Sequence, residues 1–506
     1  MNERLIDRIG RGTRRVALLQ IASQVVSVAT LTILFRRLGA EPFGLIGMLL
    51  PLLQLARMLG AFGIHVAVVQ DGDTSAAVRS AAFWLNQATG LSAGVGFAAG
   101  GVVWSWITGV PQLVPIALVL SITMPLGALS NVHAAMWEKE LRVAPLAAVR
   151  LAAQIAGAGA AVILACRGAG VWALVAQQLV DWITLAALLW CYTGWRPTWV
   201  GLAATRRFAS FGGWFTGANI LFYFGQNVDK LVLAWWIGRT SAGRTVLGFY
   251  TQSFNLVNRP VLGVTAPLYG ILLPALVRVR RQLPMASRLV GKFFRWASWV
   301  LVPSAFGLVL VADDLMEVLG GPAWRPAGRL LAVMAPLVAV LGISNLCGGV
   351  LAAFGRARSL FLAALLQAGA TSLVAAGTAL AGHLAFFDEA GSAYAMACAM
   401  SLLQVLQVAP LYWILSLRTV RLGAKTILLP LGWNVAAAAL MAVVVAVVQR
   451  QGVPHATPLV RLVVASATGA VAYGLLMLPH IGPAVRAAWR GERPTIPAAD
   501  HADSDD

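Results

Sequence analysis

The stretch VALLQIASQVVSVATLTILF, residues 16–35, decides the fold class because it contains no charged side chain. About 20 mostly apolar residues are what a helix needs to cross the hydrocarbon of a bilayer. Basic residues precede the stretch, as in a secretory signal, but no obvious small-residue cleavage site follows it. The sequence therefore predicts a first transmembrane helix that is retained in the protein.

The composition of the whole chain is that of a membrane protein. Of its 506 residues, 59% are hydrophobic and 11% are charged, whereas soluble domains average about 45–50% apolar and about 25% charged residues. The formal net charge of +19 is explained by arginines in cytoplasmic loops, so nucleic acid is not expected as a partner. The four cysteines lie far apart in apolar stretches, which argues against a metal site and against a disulfide framework.

Fourteen stretches of the chain are long and apolar enough to span a bilayer. They predict an N-terminal cytoplasmic segment (1–15), an N-lobe of helices 1–6 (16–200), a C-lobe of helices 7–12 (201–416), helices 13 and 14 (417–480) and a disordered cytoplasmic tail (481–506). The predicted spans are Val16–Phe35, Pro42–Ile64, Ser80–Trp106, Leu113–Trp137, Leu146–Cys166, Gly170–Tyr192, Phe208–Trp236, Val246–Ala275, Leu289–Val311, Ala327–Phe354, Leu360–Gly382, Ser392–Ser416, Thr426–Val448 and Leu459–Pro479.

The distribution of basic residues supports this number of spans and gives the orientation. With the N-terminus inside the cell, and with basic residues in the first turns of a span counted with the adjoining segment, 26 of the 38 lysines and arginines are cytoplasmic, 9 are in outer segments and 3 remain within spans. Cytoplasmic loops of membrane proteins carry such an excess of basic residues. We therefore expect both termini to be cytoplasmic.

The two halves of the chain repeat similar short motifs in the same order. Leu38-Gly39 and Phe43-Gly44-Leu45, around the start of the second span, correspond to Ile237-Gly238 and Leu247-Gly248-Phe249, around the start of the eighth. Since each half holds six helices, both halves insert in the same orientation, and transporters built in this way bind substrate between the halves. The predicted fold is an all-α membrane protein of about 14 transmembrane helices, with two six-helix lobes in parallel repeat plus two C-terminal helices.

The opening helix of each lobe carries a polar stripe. The residues recur at steps of three and four, which places them on one face of a helix. They line a cavity or, alternatively, make hydrogen bonds between helices, each worth less than about 1–2 kcal/mol. The stripes are Gln20, Ser23, Gln24 and Ser27 in the first span, and Asn219, Tyr223, Gln226 and Lys230 in the seventh.

This assignment leaves three cations and two acids within the spans, namely Arg57, Lys230 and Arg259 against Asp181 and Asp229. Such groups usually face a cavity or a partner, because a charge near the bilayer centre costs about 2.5 kcal/mol or more. A net positive interior suits a diphosphate, which arginine binds with paired donors and lysine as a point charge. The alternative is a set of ion pairs that hold the helices together.

The two acids are candidates for ion coupling. A desolvated carboxylate can exchange a proton, so Asp229, with Asp181 as the weaker candidate, would couple transport to a gradient or would serve as a structural counter-ion. Because Asp229 and Lys230 are neighbours in sequence, we expect them to point in different directions and not to be an ideal pair.

Several short motifs along the chain carry a family resemblance. They are Glu41-Pro42-Phe43-Gly44-Leu45, Phe83-Trp84-Leu85-Asn86, Glu140-Leu141-Arg142, Gly170-Val171-Trp172-Ala173-Leu174-Val175, Asn219 with Asp229 and Gly238, and Gly321-Pro322-Ala323-Trp324. These motifs resemble those of the polysaccharide flippases of the MATE-like superfamily, which handle O-antigen, capsule and exopolysaccharide units. The resemblance covers about residues 10–415. It departs at Ala61, near which family members often carry an acid, so no coupling role is expected there.

The resemblance implies the cargo and the mechanism. The cargo would be a polyprenyl-diphosphate-linked oligosaccharide, moved by alternating access from the cytoplasmic to the periplasmic face of the bacterial inner membrane. Arg57, Lys230 and Arg259 would bind the diphosphate, and the polar stripes, including Gln20 and Gln24, would face the sugar. No cofactor or metal is expected, and a proton or sodium gradient is the candidate energy source. The expected partners are the cargo and membrane lipids. Contact with the polysaccharide polymerisation machinery would be compatible with the family.

Other functions remain open at this stage. A drug exporter of the same fold and a peptidoglycan-precursor flippase are the nearest alternatives, although a pump for cations needs carboxylates and the first span contains none. An integral-membrane glycosyltransferase, polymerase or ligase needs a catalytic acid or histidine in an outer loop. Its only candidate acids are Asp313 and Asp314, in the predicted outer loop Ala312 to Pro326.

Overall fold

The structure, a computed structural model, describes residues 3–61, 63–65, 68, 75–140, 142–200, 206–452 and 456–489. Among these, the side chains of 3–14, 206–219, 221, 222, 357, 424, 426, 427 and 480–489 lie outside the description. The helices are α1 (Glu3–Leu38), α2 (Glu41–Ala61), α3 (Ala76–Thr108), α4 (Leu113–Ser121), α5 (Thr123–Lys139), α6 (Val143–Cys166), α7 (Val171–Thr193), α8 (Arg206–Ile237), α9 (Ser241–Val279), α10 (Leu283–Gly320), α11 (Arg325–Met334), α12 (Leu337–Ala353), α13 (Ala357–Leu384), α14 (Glu389–Leu403), α15 (Ala409–Val420), α16 (Ala424–Gly452) and α17 (Pro458–Trp489).

Polar caps and glycines fix the ends of these helices. The side chains of Ser75, Thr240 and Asp388 each accept a hydrogen bond from the backbone N–H three residues further on, which is how such residues start a helix. Gly109 ends α3 with a positive φ of 69°, a conformation that favours glycine. Short connections make consecutive spans antiparallel. We call the end of the bundle where Glu3 lies the N-terminal face, and the opposite end the far face.

The all-α, multi-pass membrane fold is confirmed. Within the described residues, twelve candidate spans have the length and hydropathy to cross a bilayer, and the bent pair Pro322–Met334 and Leu337–Ala353 makes a thirteenth. The predicted seventh span lies in α8, where many side chains lie outside the described residues. The number fourteen therefore stays a prediction.

Prolines interrupt predicted spans that the hydropathy pattern shows as continuous. The tenth bends by 48° between Met334 and Leu337, next to Pro336, and the twelfth contains a π-helical turn, Gln404–Val408, just before Pro410. Proline lacks a backbone N–H and its ring clashes with the carbonyl four residues earlier, so it favours such interruptions. Other prolines, among them Pro51, Pro260 and Pro303, lie inside continuous helices.

Both ends of the chain are more helical than the sequence indicates. Helix α1 already begins at Glu3, and α17 continues to Trp489. The prediction of a disordered tail over 481–506 is therefore wrong for residues 481–489, and the rest of that tail lies outside the described residues. The boundaries of the predicted lobes stay predictions.

Helices in corresponding positions of the two halves pack in the same way, as expected for a parallel repeat. In the first half α1 packs on α6, α2 on α3 and α6 on α7, and in the second half α8 packs on α13, α9 on α10 and α13 on α14. Between the halves, α2 packs along α9, α1 contacts α10 and α3 contacts α8. Helices α16 and α17 pack on each other and on α10.

Candidate functional site

The two lobes meet on the far face through a symmetric pair of glycines. A side chain at Gly44 of α2 would overlap the carbonyl oxygen of Arg244, and a side chain at Gly248 of α9 would overlap the carbonyl oxygen of Ala40. The two contacts are related by one offset of 204 residues, from Ala40 to Arg244 and from Gly44 to Gly248. The helices can approach this closely only because glycine carries no side chain.

An aromatic contact closes the same end of the molecule. Trp324, which is fully buried, stacks on Phe35 with 3.7 Å between ring centroids. Its indole N–H donates to the carbonyl oxygen of Phe35 at 3.1 Å. Phe43 and Phe249 pack edge-on against the same indole. The Gly-Pro-Ala-Trp motif thus inserts a side chain of the C-lobe between aromatic residues of both lobes.

Polar bridges lie beside these contacts. The guanidinium of Arg244 donates to one carboxylate oxygen of Glu41 through two nitrogens, at 2.6 and 2.9 Å, and Arg36 donates to the carbonyl oxygen of Val318 at 2.7 Å. We call Phe35, Glu41, Gly44, Arg244, Gly248 and Trp324 the far-face seal.

Arg57 lies on α2 and is attached to α7 of its own lobe. Its Nη2 donates to Oε1 of Gln178 at 2.6 Å, and its guanidinium lies 5.5 Å from the ring centroid of Trp182. Its Nε is buried without a hydrogen-bond partner among the described residues. Asp181 is the acid on α7, but it forms no salt bridge with Arg57 in the described part of the chain. Arg57 therefore keeps donor capacity that its own lobe does not use.

Asp229 and Lys230 form a buried ion pair, so the expectation that their side chains point in different directions is wrong. Asp229 is only 5% exposed and Lys230 only 6%. Nζ of Lys230 lies 3.3 Å from Oδ1 of Asp229. Nζ also donates to the carbonyl oxygen of Gln226 at 3.1 Å and lies 3.8 Å from the ring centroid of Phe254. Tyr250 donates to the other carboxylate oxygen at 2.7 Å. Neighbouring residues on a helix point in different directions, but the lysine side chain is long enough to fold back along α8 and reach Asp229.

Arg259 lies on α9 and lines a cleft of about 610 Å³ between α9, α10, α16 and α17. Most other lining side chains are apolar, among them Pro303, Val311 and Met441. Unlike Lys230, Arg259 makes no side-chain hydrogen bond or ion pair within the described residues. It is therefore the intramembrane cation that the fold compensates least.

The polar stripe of the first span divides between two roles. Ser23 donates to Gln154 of α6 at 2.5 Å, and Gln154 donates to Oγ of Ser27 at 2.8 Å. These serines hold α1 against α6, as the alternative interpretation predicted. Gln20 and Gln24 are exposed, and their contact with a sugar stays a prediction.

The polar stripe of the seventh span is described only in part. Tyr223 and Gln226 are half-buried. The side chain of Asn219 lies outside the described residues, so its predicted role has no structural counterpart here. Tyr223 and Gln226 stay candidate sugar contacts.

Sequence reasoning missed the partners that surround these charges. Gln154, Gln178, Trp182, Tyr250 and Phe254 became visible only through contacts between helices. A weak signal existed for Gln178, because a polar side chain three residues before Asp181 shares its helix face.

The two acids considered for an enzyme lie in a helix, and one of them has a structural partner. The predicted outer loop Ala312 to Pro326 is wrong, because α10 continues to Gly320 and contains both Asp313 and Asp314. Asp314 is buried and accepts from Arg461 of α17 at 2.5 Å. This pair joins α10 to the C-terminal helices. Within the described residues, acids, histidines and cysteines form no group able to hold a metal ion.

Comparison with known proteins identifies relatives by sequence. The family described as "Polysaccharide biosynthesis protein" matches residues 33–329, more than half of the chain. The chain is 26% identical over 360 residues to the succinoglycan biosynthesis transport protein ExoT of Rhizobium meliloti, covering 70% of this chain and 71% of that protein. It is 24% identical over 341 residues to the lipopolysaccharide biosynthesis protein WzxC of Escherichia coli, covering 65% and 67%.

Solved structures share the fold. The lipid II flippase MurJ, in an inward closed conformation, superposes with a TM-score of 0.72 at 10% identity and covers 93% of this chain and 99% of its own. A MATE-family multidrug resistance transporter in an inward-facing conformation gives a TM-score of 0.58 at 13% identity, covering 79% and 96%. At these identities the likeness concerns the fold.

Proposed function

Because the chain belongs to the family of polysaccharide biosynthesis proteins, we propose that it is a flippase for a polyprenyl-diphosphate-linked oligosaccharide. Two relatives are named for the transport of succinoglycan and the biosynthesis of lipopolysaccharide, and both names concern cell-surface polysaccharides. Transport requires binding and conformational change rather than catalysis, so we assign no enzymatic step to the chain.

The observation that carries this proposal is the position of Arg259. An arginine without an ion-pair partner among the described residues lies in a cleft whose other walls are largely apolar. A polyprenyl diphosphate is divided in the same way into a charged part and an apolar part, because its aliphatic chain is joined to a diphosphate head. The planar guanidinium can bind phosphate oxygens with paired hydrogen bonds, which are stronger than those between neutral groups.

Arg57 supports the same site from the other lobe. Along their helices, Arg57 lies about 20 Å from Gly44, and Arg259 lies about 16 Å from Gly248. Because these glycines mark the contact between α2 and α9, both arginines lie at similar depth between the seal and the N-terminal face. We infer that the diphosphate binds between them, and that Lys230 mainly neutralises Asp229.

The far-face seal suggests the direction of loading. With the lobes joined on the far face, we infer that the cargo enters from the N-terminal face, which the basic residues indicate is cytoplasmic. Release then requires the seal to open and the opposite ends of the lobes to close, as in alternating access. The proposed location is the bacterial inner membrane, and contact with the polymerisation machinery is compatible with this place in the process.

A drug exporter of the same fold is the second candidate, favoured only by the likeness to MATE transporters. Its cationic cargo would need unpaired acids, whereas Asp229 is paired with Lys230 and Tyr250. This leaves Asp181, near Arg57, as the intramembrane acid without a salt bridge within the described residues. We propose that coupling, if a proton or sodium gradient drives the flippase, uses Asp229 or the Asp181 beside Arg57.

Reconstitution of the purified protein in liposomes tests the function. We expect a short-chain polyprenyl diphosphate oligosaccharide to become accessible to a lectin in the opposite leaflet, faster than in protein-free vesicles. An imposed proton gradient and an imposed sodium gradient are compared, and the one that accelerates transfer identifies the coupling ion. Transfer of a fluorescent cationic drug without transfer of the oligosaccharide would instead favour the drug exporter.

Single cysteines test the orientation, in a background where the four native cysteines are replaced. Ser241 begins α9 on the far face, and Ser287 lies in the first turns of α10 on the N-terminal face. We expect Ser241→Cys to react with an impermeant maleimide added to intact cells, and Ser287→Cys to react only after the membrane is opened. Labelling of both from outside would contradict the proposed topology.

A further inference from the structure

A second cleft lies on the opposite side of α10 from the one that holds Arg259. It measures about 300 Å³ and lies between α10, α12, α15 and α16, near the N-terminal face. Its α10 residues, Gly291, Phe294, Arg295 and Ser298, share one helix face by their spacing of three and four. The volume is at the lower end of the range of about 300–1,000 Å³ found for ligand clefts.

The wall of this cleft suits an aliphatic chain. Its lining side chains are almost all apolar, including Ile343, Ile414, Leu417 and Leu431. A side chain at Gly291 would reach only an ordinary contact, at 3.9 Å from Leu422. The cleft is therefore open where Gly291 lines it.

Four basic side chains surround the mouth of the cleft at the N-terminal face. Arg295 lines it directly, and Arg288 lies two turns earlier on the same face of α10. Arg418 follows Ile414 by one turn on α15, and Lys425 precedes Leu428 by nearly one turn on α16. We call these residues the basic rim, and all four are exposed.

The basic rim has no neutralising acid in the part of the chain that the structure describes. None of its members makes a salt bridge within the described residues. The sequence contains no acid between Asp229 and Asp313, or between Glu389 and Glu492, so the helices that carry the rim supply none nearby. The basic excess of this face alone would explain the charges but not their position around an apolar cleft.

We propose that this cleft binds an anionic glycerophospholipid of the bilayer, with an acyl chain between α10, α12, α15 and α16 and the phosphate on the basic rim. Basic pockets between transmembrane helices on the cytoplasmic side bind anionic headgroups in this way. The site does not depend on the identity of the cargo, because α10 separates it from Arg259. The ligand is lipid of the surrounding leaflet and is not transported.

Native mass spectrometry of the detergent-solubilised full chain, titrated with phosphatidylglycerol or phosphatidylcholine, tests the site. We expect phosphatidylglycerol to bind more tightly, and the double variant Arg295→Gln/Arg418→Gln to bind it about 25-fold more weakly, at about fivefold per charge. The control Arg280→Gln/Arg281→Gln removes two exposed charges on the same face away from the cleft, and should change binding by less than about twofold. If both double variants lose phosphatidylglycerol binding equally, the rim acts only through the general charge of the surface, and the proposal is overturned.

The acyl chain and the source of the lipid are tested separately. Gly291→Leu fills the cleft without changing charge, and we expect it to weaken both lipids while elution volume and helix content stay those of the wild type. Unchanged binding in Gly291→Leu would show that no chain occupies the cleft. A short-chain polyprenyl diphosphate should not displace phosphatidylglycerol, and displacement would assign the cleft to the cargo instead.

Discussion

Replacing Arg259 with glutamine is expected to reduce export of the glycan to about one-tenth or less, because a hydrogen bond to a charged group contributes about 1.5–3 kcal/mol. Glutamine keeps the polarity but loses the charge and the paired donors. Arg259→Lys should restore part of the activity, since lysine offers the charge without the planar fork. Glycan export is measured in cells that lack the native protein, at matched levels of each variant.

Arg57→Gln and Lys230→Gln distinguish a role in cargo binding from a role in the stability of the fold. Arg57→Gln should lower export less, because Gln178 already satisfies one of its donors. Lys230→Gln should instead lower the amount of folded protein, since it leaves Asp229 buried without its counter-ion. Normal export by Arg259→Gln and Arg57→Gln at normal protein levels would remove the diphosphate from this site.

Adding one methyl group at Gly44 is expected to open the far-face seal. The new carbon of Gly44→Ala would overlap the backbone carbonyl of Arg244, and a backbone atom cannot turn aside as a side chain can. The lobes must separate there, so transport should fall severely and the face of α2 that packs on α9 through Gly44 and Gly47 should become reachable from the far face. A cysteine at the exposed Gln54 of α2, introduced after removal of the native cysteines, reports this through an impermeant maleimide added outside.

The symmetry of the seal provides a second variant, and α3 provides the control. Gly248→Ala should behave like Gly44→Ala, because it meets the carbonyl of Ala40 in the same way. Gly96→Ala adds the same methyl group where nothing lies within 4 Å, and should leave labelling and export unchanged. If Gly44→Ala and Gly248→Ala transport normally, the contact is not a gate.

The fold could be predicted from sequence because hydropathy, basic residues and repeated motifs report on single helices and on their order. The interruptions were less visible, since Pro336 and Pro410 stand in stretches as apolar as any other. Their effect is on hydrogen bonding and sterics within the helix, which a hydropathy average does not measure.

The candidate site could be predicted as a set of charges but not as a set of partners. Arg57, Lys230 and Arg259 are equally conspicuous in sequence, yet the fold satisfies them unequally. Lys230 is neutralised by Asp229, Arg57 is held by Gln178, and Arg259 lacks a partner among the described residues. Which helices lie opposite one another decides this, and composition and spacing carry little of that information.

The paired glycines have a consequence for how the molecule arose. A contact in which one surface meets its own equivalent is isologous, the kind made by two identical chains around a two-fold axis. Gly44 against Arg244 and Gly248 against Ala40 satisfy that relation within a single chain. Such a joint is expected if the ancestor was a homodimer of six-helix subunits that later fused. The Glu41–Arg244 ion pair has no symmetric counterpart, since the offset of 204 residues relates Glu41 to Thr245 and Arg244 to Ala40, so on this history it is an asymmetric addition made after the fusion.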